Sequence, residues 1–308
     1  MTGSAMNEGG NGTGGLLLVH AHPDDEVFST GGTIAQSLAE GRRVDLVVCT
    51  GGEEGEIHDP DLDPTEAQGR LGAIRDAELV CALAALSAPS GHADYLHLHR
   101  LGHRDSGMMG TPGNTHPDSF WQADLEAASE PVVRLIRDAR PAVVVHYDPT
   151  GGYGHPDHIQ AHRIAVAASA TAADPDRYPD AGPPHRVRRR YETAFGSGRW
   201  LELMRAMRER GLPLPWDYDA VLDADEPEER PGTVEPTVTT VVDVAGWAPT
   251  KRTAMECHRT QRQDFGWAIE LPDDLGVLAY GTERFILVEE DGHAPAPGRA
   301  EASLFEGL

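Results

Sequence analysis

Short apolar runs alternate with helical segments along the first half of the chain, and this alternation constrains the fold more than any other feature. Residues 16–20 and 44–49 have the length and composition of strands that are buried on both faces of a sheet. The predicted strands are residues 16–20, 44–49, 95–98 and 142–147, and the predicted helices are residues 30–40, 73–86, 124–139 and 156–173. This order predicts a parallel sheet whose strands are connected by helices packed on it.

The predicted fold class is therefore α/β, with a Rossmann-like, mostly parallel sheet and helices on both of its faces. No GxGxxG motif follows the first strand, so we do not expect a dinucleotide in the crevice of this sheet. After about residue 174 the pattern gives way to proline and arginine clusters, one strand candidate and two helical segments. We expect a disordered segment over residues 1–15, a Rossmann-like catalytic core over 16–175, a smaller C-terminal α+β lobe that shapes the substrate site over 176–290, and a loosely ordered tail over 291–308.

The charge balance limits the partners that the chain is expected to bind. The sequence has 26 basic and 50 acidic residues, which gives a net charge of −24. A surface this negative repels phosphate backbones and anionic lipid headgroups, which argues against nucleic acid or a membrane as a partner. No apolar run approaches the ~20 residues that a membrane span requires, and residues 1–15 lack the features of a signal peptide. We therefore expect a cytoplasmic protein.

The three cysteines are far apart in the sequence and form no CxxC pair. Cys49, Cys81 and Cys257 are therefore interpreted as free, buried thiols in a reducing compartment. A zinc–thiolate site is not expected from this spacing.

The first chemically dense segment, residues 22–26 (HPDDE), directly follows the first predicted strand. Ligand sites of open α/β sheets are built at the carboxyl ends of the strands. One histidine and two adjacent carboxylates in this turn provide metal ligands together with an acid–base group. Alone, however, Asp24 and Asp25 could equally be a helix N-cap and its neighbour.

The second dense segment, residues 151–158 (GGYGHPDH), follows the strand that ends at Tyr147. His155 and His158 are three residues apart, so in a first helical turn they point to the same side. A lone histidine at such a place is usually structural, and Asp157 could be only a cap. Two His-Pro-Asp tripeptides at two strand ends favour a metal-dependent hydrolytic site, although the residues alone do not identify the ligands.

Residues 20–26 (HAHPDDE) and 148–158 (DPTGGYGHPDH) resemble the signature motifs of the LmbE/PIG-L family of zinc-dependent N-deacetylases. Residues 49–57 (CTGGEEGEI) and 104–114 (RDSGMMGTPGN) resemble its mycothiol branch, which contains the N-acetylglucosaminyl-inositol deacetylase and the mycothiol S-conjugate amidase. The resemblance is weaker in the C-terminal part, where only residues 257–261 (CHRTQ) and 281–285 (GTERF) match. The family's fold agrees with the one predicted above.

The resemblance implies a role for individual residues. It makes His22, Asp25 and His158 the ligands of one Zn²⁺ per chain, with Fe²⁺ as the alternative, Asp24 the general base, and His155 the group that stabilises or protonates the tetrahedral intermediate. It places Arg75, Asp105, Tyr153 and Gln261 at the substrate, and Met108 either lines the same pocket or fills a gap. A cationic His155 would suit the developing oxyanion, and an exposed helix arginine is the alternative for Arg75.

Two further groups of residues leave alternatives open. Glu53, Glu54 and Glu56 follow the second strand and form either a solvated acidic loop or a loop that orders the metal site. The histidines around the third strand have no carboxylates next to them and are interpreted as surface or structural residues; they are His92, His97, His99 and His103.

The function expected from the resemblance is that of a zinc amidohydrolase that deacetylates a small N-acetylated amino sugar. The leading substrate is N-acetylglucosaminyl-inositol, an intermediate of mycothiol biosynthesis. The alternatives are a mycothiol S-conjugate amidase and a deacetylase of an N-acetylated antibiotic precursor. From a different class, a non-catalytic sugar-binding relative would have no need of a base such as Asp24 beside the metal. The sequence does not indicate an oligomeric state.

Overall fold

The computed structural model describes residues 14–194, 197–215, 218, 222 and 237–308. The segment predicted to be disordered, residues 1–15, lies outside this range except for its last two residues.

Seven strands form a single mixed sheet with the order β3-β2-β1-β4-β5-β7-β6. The strands are β1 (Gly15–His20), β2 (Val44–Thr50), β3 (Leu96–His103), β4 (Pro141–His146), β5 (Arg189–Thr193), β6 (Thr240–Asp243) and β7 (Thr282–Glu290). The first five strands pair in parallel, and β7 pairs antiparallel with both β5 and β6. Leu18 in the central strand is in register with Leu46 on one side and Val145 on the other.

The helices connect these strands and cover both faces of the sheet. They are α1 (Asp25–Ser29), α2 (Gly31–Ala39), α3 (Pro64–Ala67), α4 (Leu71–Ser87), α5 (Leu125–Ala139), α6 (Gly151–Gly154), α7 (Pro156–Ala172), α8 (Ser197–Glu209), α9 (Ala248–Cys257), α10 (Arg262–Ile269) and α11 (Asp273–Tyr280). Side chains of β1 alternate between the faces: Leu16 and Leu18 pack with α2, α4 and α9, whereas Leu17 and Val19 pack with α5 and α7. The predicted α/β fold class is confirmed.

The C-terminal part shares this sheet, because β5, β6 and β7 extend it beyond β4. A smaller apolar cluster, separate from the two that cover the sheet, joins α8 to Leu271 and Leu275 near α11. The prediction of a loosely ordered tail is wrong for its last residues. Glu301 forms a bridge with Thr240, and Leu304 and Phe305 are buried in the core.

The interpretation of the three cysteines as free thiols is wrong for two of them. Cys81 in α4 and Cys257 at the end of α9 form a disulfide, with their Cα atoms 5.7 Å apart. They are separated by 176 positions in the sequence. The two cysteines come together because α9 packs on α4, and no local sequence motif indicates this packing. Cys49 is a buried free thiol, as predicted.

The strand order reverses between β1 and β4, because β2 and β3 lie on one side of β1 while β4 and β5 lie on the other. Loops that leave two such strands diverge to opposite faces and open a crevice at their carboxyl ends. Both His-Pro-Asp segments emerge at this crevice. Across the part of the chain that the structure describes, no helix has the length and apolarity needed to cross a bilayer.

Candidate metal centre

Side chains from the two His-Pro-Asp segments converge at the crevice between β1 and β4. Nδ1 of His22 lies 3.6 Å from Oδ2 of Asp25, and Nε2 of His158 lies 3.4 Å from Oδ1 of the same carboxylate. The nitrogens of His22, His155 and His158 also lie within 4.8 Å of one another, and all three residues are buried. The structure thus brings together the three residues that the resemblance implies as ligands.

The donor set fits a divalent metal ion. Two imidazoles and one carboxylate are ligands that zinc accepts in catalytic sites, which keep a further position open. Nε2 of His158 is buried and has no hydrogen-bond partner among the described residues, as expected of an atom prepared for a ligand. Burial lowers the pKa of His158 to about 4, so its ring is neutral and offers a lone pair. Although burial opposes ionisation of Asp25, His158 and His22 hold its pKa well below the usual range.

The far side of the His22 ring faces two carboxylates. Nε2 of His22 lies 3.2 Å from Oδ2 of Asp157 and 3.6 Å from Oδ1 of Asp105. Burial opposes protonation of His22, but these carboxylates and Asp25 outweigh it and raise the pKa. A histidine that donates one N–H to a carboxylate has its other nitrogen oriented toward a metal. Asp105 and Asp157 also form a close group with His22 and His155, so geometry alone leaves a second ligand combination open.

Asp157 is not the helix cap that the sequence left as an alternative. Its carboxylate is fully buried and accepts hydrogen bonds from the backbone N–H, at 2.9 Å, and the hydroxyl of Ser106. The cap of α7 is His155, whose Nδ1 accepts the N–H of Asp157 at 3.1 Å. The sequence analysis did not predict the contact of Asp157 with the His22 ring. The position of Asp157 inside the second motif was the available indication that it belongs to the site.

Asp24 has an unusual backbone conformation and a perturbed carboxyl group. Its φ of 117° lies in the left-handed region, which residues other than glycine seldom adopt. Oδ2 of Asp24 accepts a hydrogen bond from Nη2 of Arg75 at 3.0 Å. Burial raises the pKa of Asp24 to about 7, against the opposing charge of Arg75. A carboxyl group with a pKa near neutrality can both accept and release a proton at neutral pH.

Arg75 is buried and not an exposed helix arginine. Nη1 donates to the carbonyl of Gly52 at 2.8 Å, and Nη2 donates to the carbonyl of Pro23 at 2.6 Å as well as to Asp24. A side chain at Gly52 would collide with this guanidinium, because an added Cβ would lie 2.3 Å from Nη1. The predicted contact of Arg75 with substrate stays a prediction, since the structure shows its hydrogen bonds within the protein.

His155 lies beside the ligand cluster, with its ring 4.6 Å from that of His22. Burial, together with the nearby His22 and His158, lowers the pKa of His155 to about 3, so the free protein carries a neutral ring where the sequence interpretation expected an imidazolium. Because Nδ1 accepts the N–H of Asp157, the hydrogen of the neutral ring is on Nε2. His155 is therefore a neutral hydrogen-bond donor.

Two tyrosines flank His158. The ring of Tyr153 is half exposed at the mouth of the crevice, 5.0 Å from the His158 ring. The buried ring of Tyr147 stacks on the other side of His158 at 4.2 Å, and its hydroxyl accepts the N–H of Ala21. Tyr147, which the sequence indicated only as a strand end, thus packs directly against the His158 ring.

The remaining predicted substrate residues differ in accessibility. Asp105 is buried and accepts the N–H groups of Glu54 and Gly107, and Gln261 is buried and donates to the carbonyl of Glu56 at 3.0 Å. Met108 is exposed, three residues after Asp105 in the same loop. Their contacts with substrate stay predictions.

The acidic loop after β2 helps to order the site, which was the second of the two alternatives. Oε1 of Glu53 accepts the N–H of Asp105 at 2.9 Å, and Glu54 pairs with Arg104. Glu56 is exposed and pairs with His58.

The histidines around β3 have structural contacts, as predicted. Nε2 of His99 lies 2.9 Å from Asp45, and the ring of His103 stacks on Phe120. An unpredicted group, His146, His162 and Glu192, brings potential ligand atoms together at the ends of β4 and β5. There the carbonyl of Tyr147 contacts Nδ1 of both histidines and the guanidinium of Arg190 donates to His146, so the surroundings disfavour a cation.

The fold and this centre are those expected of α/β metal-dependent hydrolases, with His and Asp side chains gathered at the switch point of a parallel sheet. The sequence profile described as "PIG-L: GlcNAc-PI de-N-acetylase" matches residues 17–169. A 1D-myo-inositol 2-acetamido-2-deoxy-alpha-D-glucopyranoside deacetylase of Acidothermus cellulolyticus is 43% identical over 297 residues, which cover 95% of this chain and 94% of that protein. A relative of the same description from Thermobifida fusca is 42% identical, over 94% of this chain and 98% of its own. The chain belongs to the PIG-L family.

Two solved structures support the fold. An N,N'-diacetylchitobiose deacetylase from Pyrococcus horikoshii superposes with a TM-score of 0.55 at 18% identity, covering 88% of this chain and 82% of its own. The conserved protein TT1542 from Thermus thermophilus has a TM-score of 0.52 at 20% identity, covering 92% of this chain and 98% of its own. The predictions of the family, the fold class and an enzyme of the deacetylase class are confirmed.

Proposed function

We propose that this protein hydrolyses the acetamide of 1D-myo-inositol 2-acetamido-2-deoxy-α-D-glucopyranoside, that is, of N-acetylglucosaminyl-inositol, and releases the free amine and acetate. Relatives that carry this description match nearly the whole chain at 42–43% identity. The observation that carries the proposal is the cluster in which the partly buried carboxylate of Asp25 lies between the buried rings of His22 and His158, with Asp24 next to it in the chain. This substrate is the mycothiol precursor that the sequence resemblance indicated.

We propose that His22, Asp25 and His158 hold one Zn²⁺ per chain, with Fe²⁺ as the alternative. When bound, such an ion acts as a Lewis acid toward the amide carbonyl and makes water a better nucleophile near neutral pH. The support is the donor set, the carboxylate of Asp157 that contacts the far side of the His22 ring, and Nε2 of His158, which has no hydrogen-bond partner among the described residues.

Asp24 is the proposed general base. Its carboxylate takes a proton from the attacking water while the water oxygen bonds to the amide carbon. The C–N bond then breaks, and the amine nitrogen receives a proton. Because the pKa of Asp24 is about 7, the same carboxyl group can return the proton to the departing amine. Arg75 keeps this group in place through its bond to Oδ2.

His155 is the proposed donor to the negative charge that develops on the carbonyl oxygen. Its neutral ring carries the hydrogen on Nε2, since Nδ1 is occupied by the N–H of Asp157. A preorganised donor in a buried site is worth more than the same group in water. The exposed Tyr153 lies at the crevice mouth, where its hydroxyl and ring can contact the amide or the sugar.

The substrate assignment is tested with a panel of N-acyl compounds assayed for amine release. The panel contains N-acetylglucosaminyl-inositol, a mycothiol S-conjugate, N,N'-diacetylchitobiose and an N-acetylated glycopeptide precursor. We expect the highest kcat/KM for the first. A higher value for the S-conjugate or the glycopeptide would replace the proposed substrate, and substrate binding without turnover of any compound would favour a sugar-binding relative.

The roles of the centre are tested by metal analysis of purified variants. Asp24→Asn should keep metal content and lower kcat by about 10²–10⁴, the usual contribution of a general base. His158→Ala should lose the metal itself. Asp118→Asn, at an exposed position, serves as a matched control and should leave both values unchanged. Full activity of Asp24→Asn, or a His158→Ala protein with normal metal content, would contradict these assignments. The cytoplasmic location and the absence of nucleic-acid and membrane partners stay predictions from the sequence.

A further inference from the structure

The strained backbone of Asp24 requires an explanation beyond its side chain. With φ at 117° and ψ at −29°, Asp24 is the N-cap of α1 and directly precedes the proposed ligand Asp25. A residue other than glycine keeps this conformation only where surrounding contacts hold it. In this conformation the carboxylates of the adjacent residues Asp24 and Asp25 point in different directions. Asp25 faces His22 and His158, whereas Asp24 faces Arg75.

A fully buried carboxylate holds the Asp24 backbone from the interior. Oε2 of Glu26 accepts the backbone N–H of Asp24 at 2.8 Å. Oε1 of Glu26 lies 2.7 Å from Nε2 of His258, and both side chains are completely buried. Glu26 therefore connects the backbone of Asp24 to the C-terminal part of the chain.

His258 is itself firmly placed. Two residues further on, Thr260 donates its N–H and its hydroxyl to Glu78 of α4, at 2.8 and 2.6 Å. The carbonyl of Thr260 accepts the N–H of His58 at 2.8 Å. Residues 257–261, the CHRTQ segment, are thus bonded to α4 and to the loop after β2, and they present His258 to Glu26 from a fixed position.

Arg75 holds the same turn from the other side, through the carbonyl of Pro23 and the carboxylate of Asp24. The carbonyl of Asp24 accepts the N–H of Val27 at 3.1 Å. The N–H, the carbonyl and the side chain of Asp24 are therefore all engaged, and the bond from the N–H leads through Glu26 to the C-terminal part of the chain.

We propose that Glu26 and His258 form a positioning pair for Asp24: His258 fixes the Glu26 carboxylate, which holds the Asp24 backbone in the conformation that directs its carboxylate away from Asp25. The proposal rests on the proposed function of Asp24 as the base. A role in stability alone explains the pair less well. A buried His–Glu pair is weak grounds for stability, and Nδ1 of His258 is left without a hydrogen-bond partner among the described residues.

The test measures kcat, KM and metal content separately in variants at both positions. His258→Ala and Glu26→Ala should lower kcat by up to about 10², the effect of a misplaced catalytic group, with KM and metal content unchanged. His258→Gln keeps an N–H donor at the place of Nε2, and Glu26→Gln keeps an oxygen for the Asp24 N–H, so each should restore most of the lost turnover. Because the two residues act in series, the double alanine variant should lose no more than Glu26→Ala alone.

Arg137→Met is the matched control for a general loss of stability. The Arg137 side chain is buried and donates to backbone carbonyls near the end of α7. None of its hydrogen bonds among the described residues involves the turn that contains Asp24. Assays are run at a temperature where circular dichroism shows every variant folded. Arg137→Met should lower Tm without lowering kcat.

Three results would overturn the positioning pair: wild-type kcat in a folded His258→Ala protein, additive losses in the double variant, or an equal loss of kcat in Arg137→Met. Asp24→Asn is measured in parallel. If Asp24→Asn is inactive while His258→Ala is fully active, only the positioning pair fails. If Asp24→Asn retains full activity, the proposed base fails as well.

Discussion

Replacing Cys81 by serine removes a covalent connection between α4 and the end of α9, and its effect on stability follows from the size of the loop that the disulfide closes. The two cysteines are 176 positions apart. In the chain-entropy model a loop of this length corresponds to about 5 kcal/mol, and removal of native disulfides typically costs about 2–5 kcal/mol. With an unfolding entropy of about 2.1 cal/mol/K per residue, a loss of this size lowers Tm by roughly 3–8 °C.

Calorimetry and thiol titration check this prediction together. Denatured without reductant, the wild-type protein should show one reactive thiol per chain, from Cys49, and three after reduction. Reduction should lower the wild-type Tm to that of Cys81→Ser and should leave the variant's Tm unchanged. The double variant Cys81→Ser/Cys257→Ser should unfold with the single variant, since both lack the same bond. Three thiols in the unreduced protein, or equal Tm values for wild type and variant, would refute the reasoning.

Three further predictions concern buried polar contacts. Lys251→Met leaves the buried Glu283 without its cation partner at 2.6 Å and should lower the unfolding free energy by about 3–5 kcal/mol in urea titrations, with partial recovery in Lys251→Met/Glu283→Gln. Gly52→Ala places a Cβ against Arg75 at a φ of +67°, so kcat and Tm should both fall, whereas Gly41→Ala, with open space around it, should affect Tm alone. Burial raises the pKa of Glu192 from 4.5 to about 7, so between these pH values the carboxyl ionises in the unfolded chain but not in the folded protein, and the free energy of unfolding falls as pH rises. Glu192→Gln should therefore be more stable than wild type at pH 8, by about 1–3 kcal/mol, and should lose this advantage at pH 4.

The parts of the fold that the sequence predicted are those with a local signal. The apolar runs that form β1, β2 and β4 are buried on both faces, so composition alone distinguished them from surface segments. The tail gave no such signal, because the burial of Leu304 and Phe305 depends on distant partners such as Ile34 and Leu38 in the same core. The disulfide also had no local signal, because it depends on the packing of two helices and not on the spacing of the cysteines in the sequence.

Within the candidate site, the sequence located residues that meet at the crevice but not those that orient them. The sequence pointed to His22, Asp25 and His158 because each lies in a motif at a strand end. Asp157 and Glu26 lie in the same motifs, yet their roles depend on partners far along the chain: His22 and Ser106 for Asp157, and His258 for Glu26. A hydrogen bond between residues 232 positions apart leaves no periodicity to detect.

The C-terminal part of the chain therefore also makes hydrogen bonds that hold segments of the N-terminal half in place. It was expected to shape the pocket, and the substrate contact of Gln261 there stays a prediction. In the structure Gln261 donates to the carbonyl of Glu56 in the loop after β2. His258, Thr260 and Gln261 each bind a different segment of the N-terminal half, namely α1, α4 and that loop. Because Arg75 and Glu78 lie on the same helix as Cys81, the disulfide joins the two structures that hold Asp24 from opposite sides. Conformation at the proposed base is thus set by contacts between the two halves of the chain, and kcat in the His258 variants measures that dependence directly.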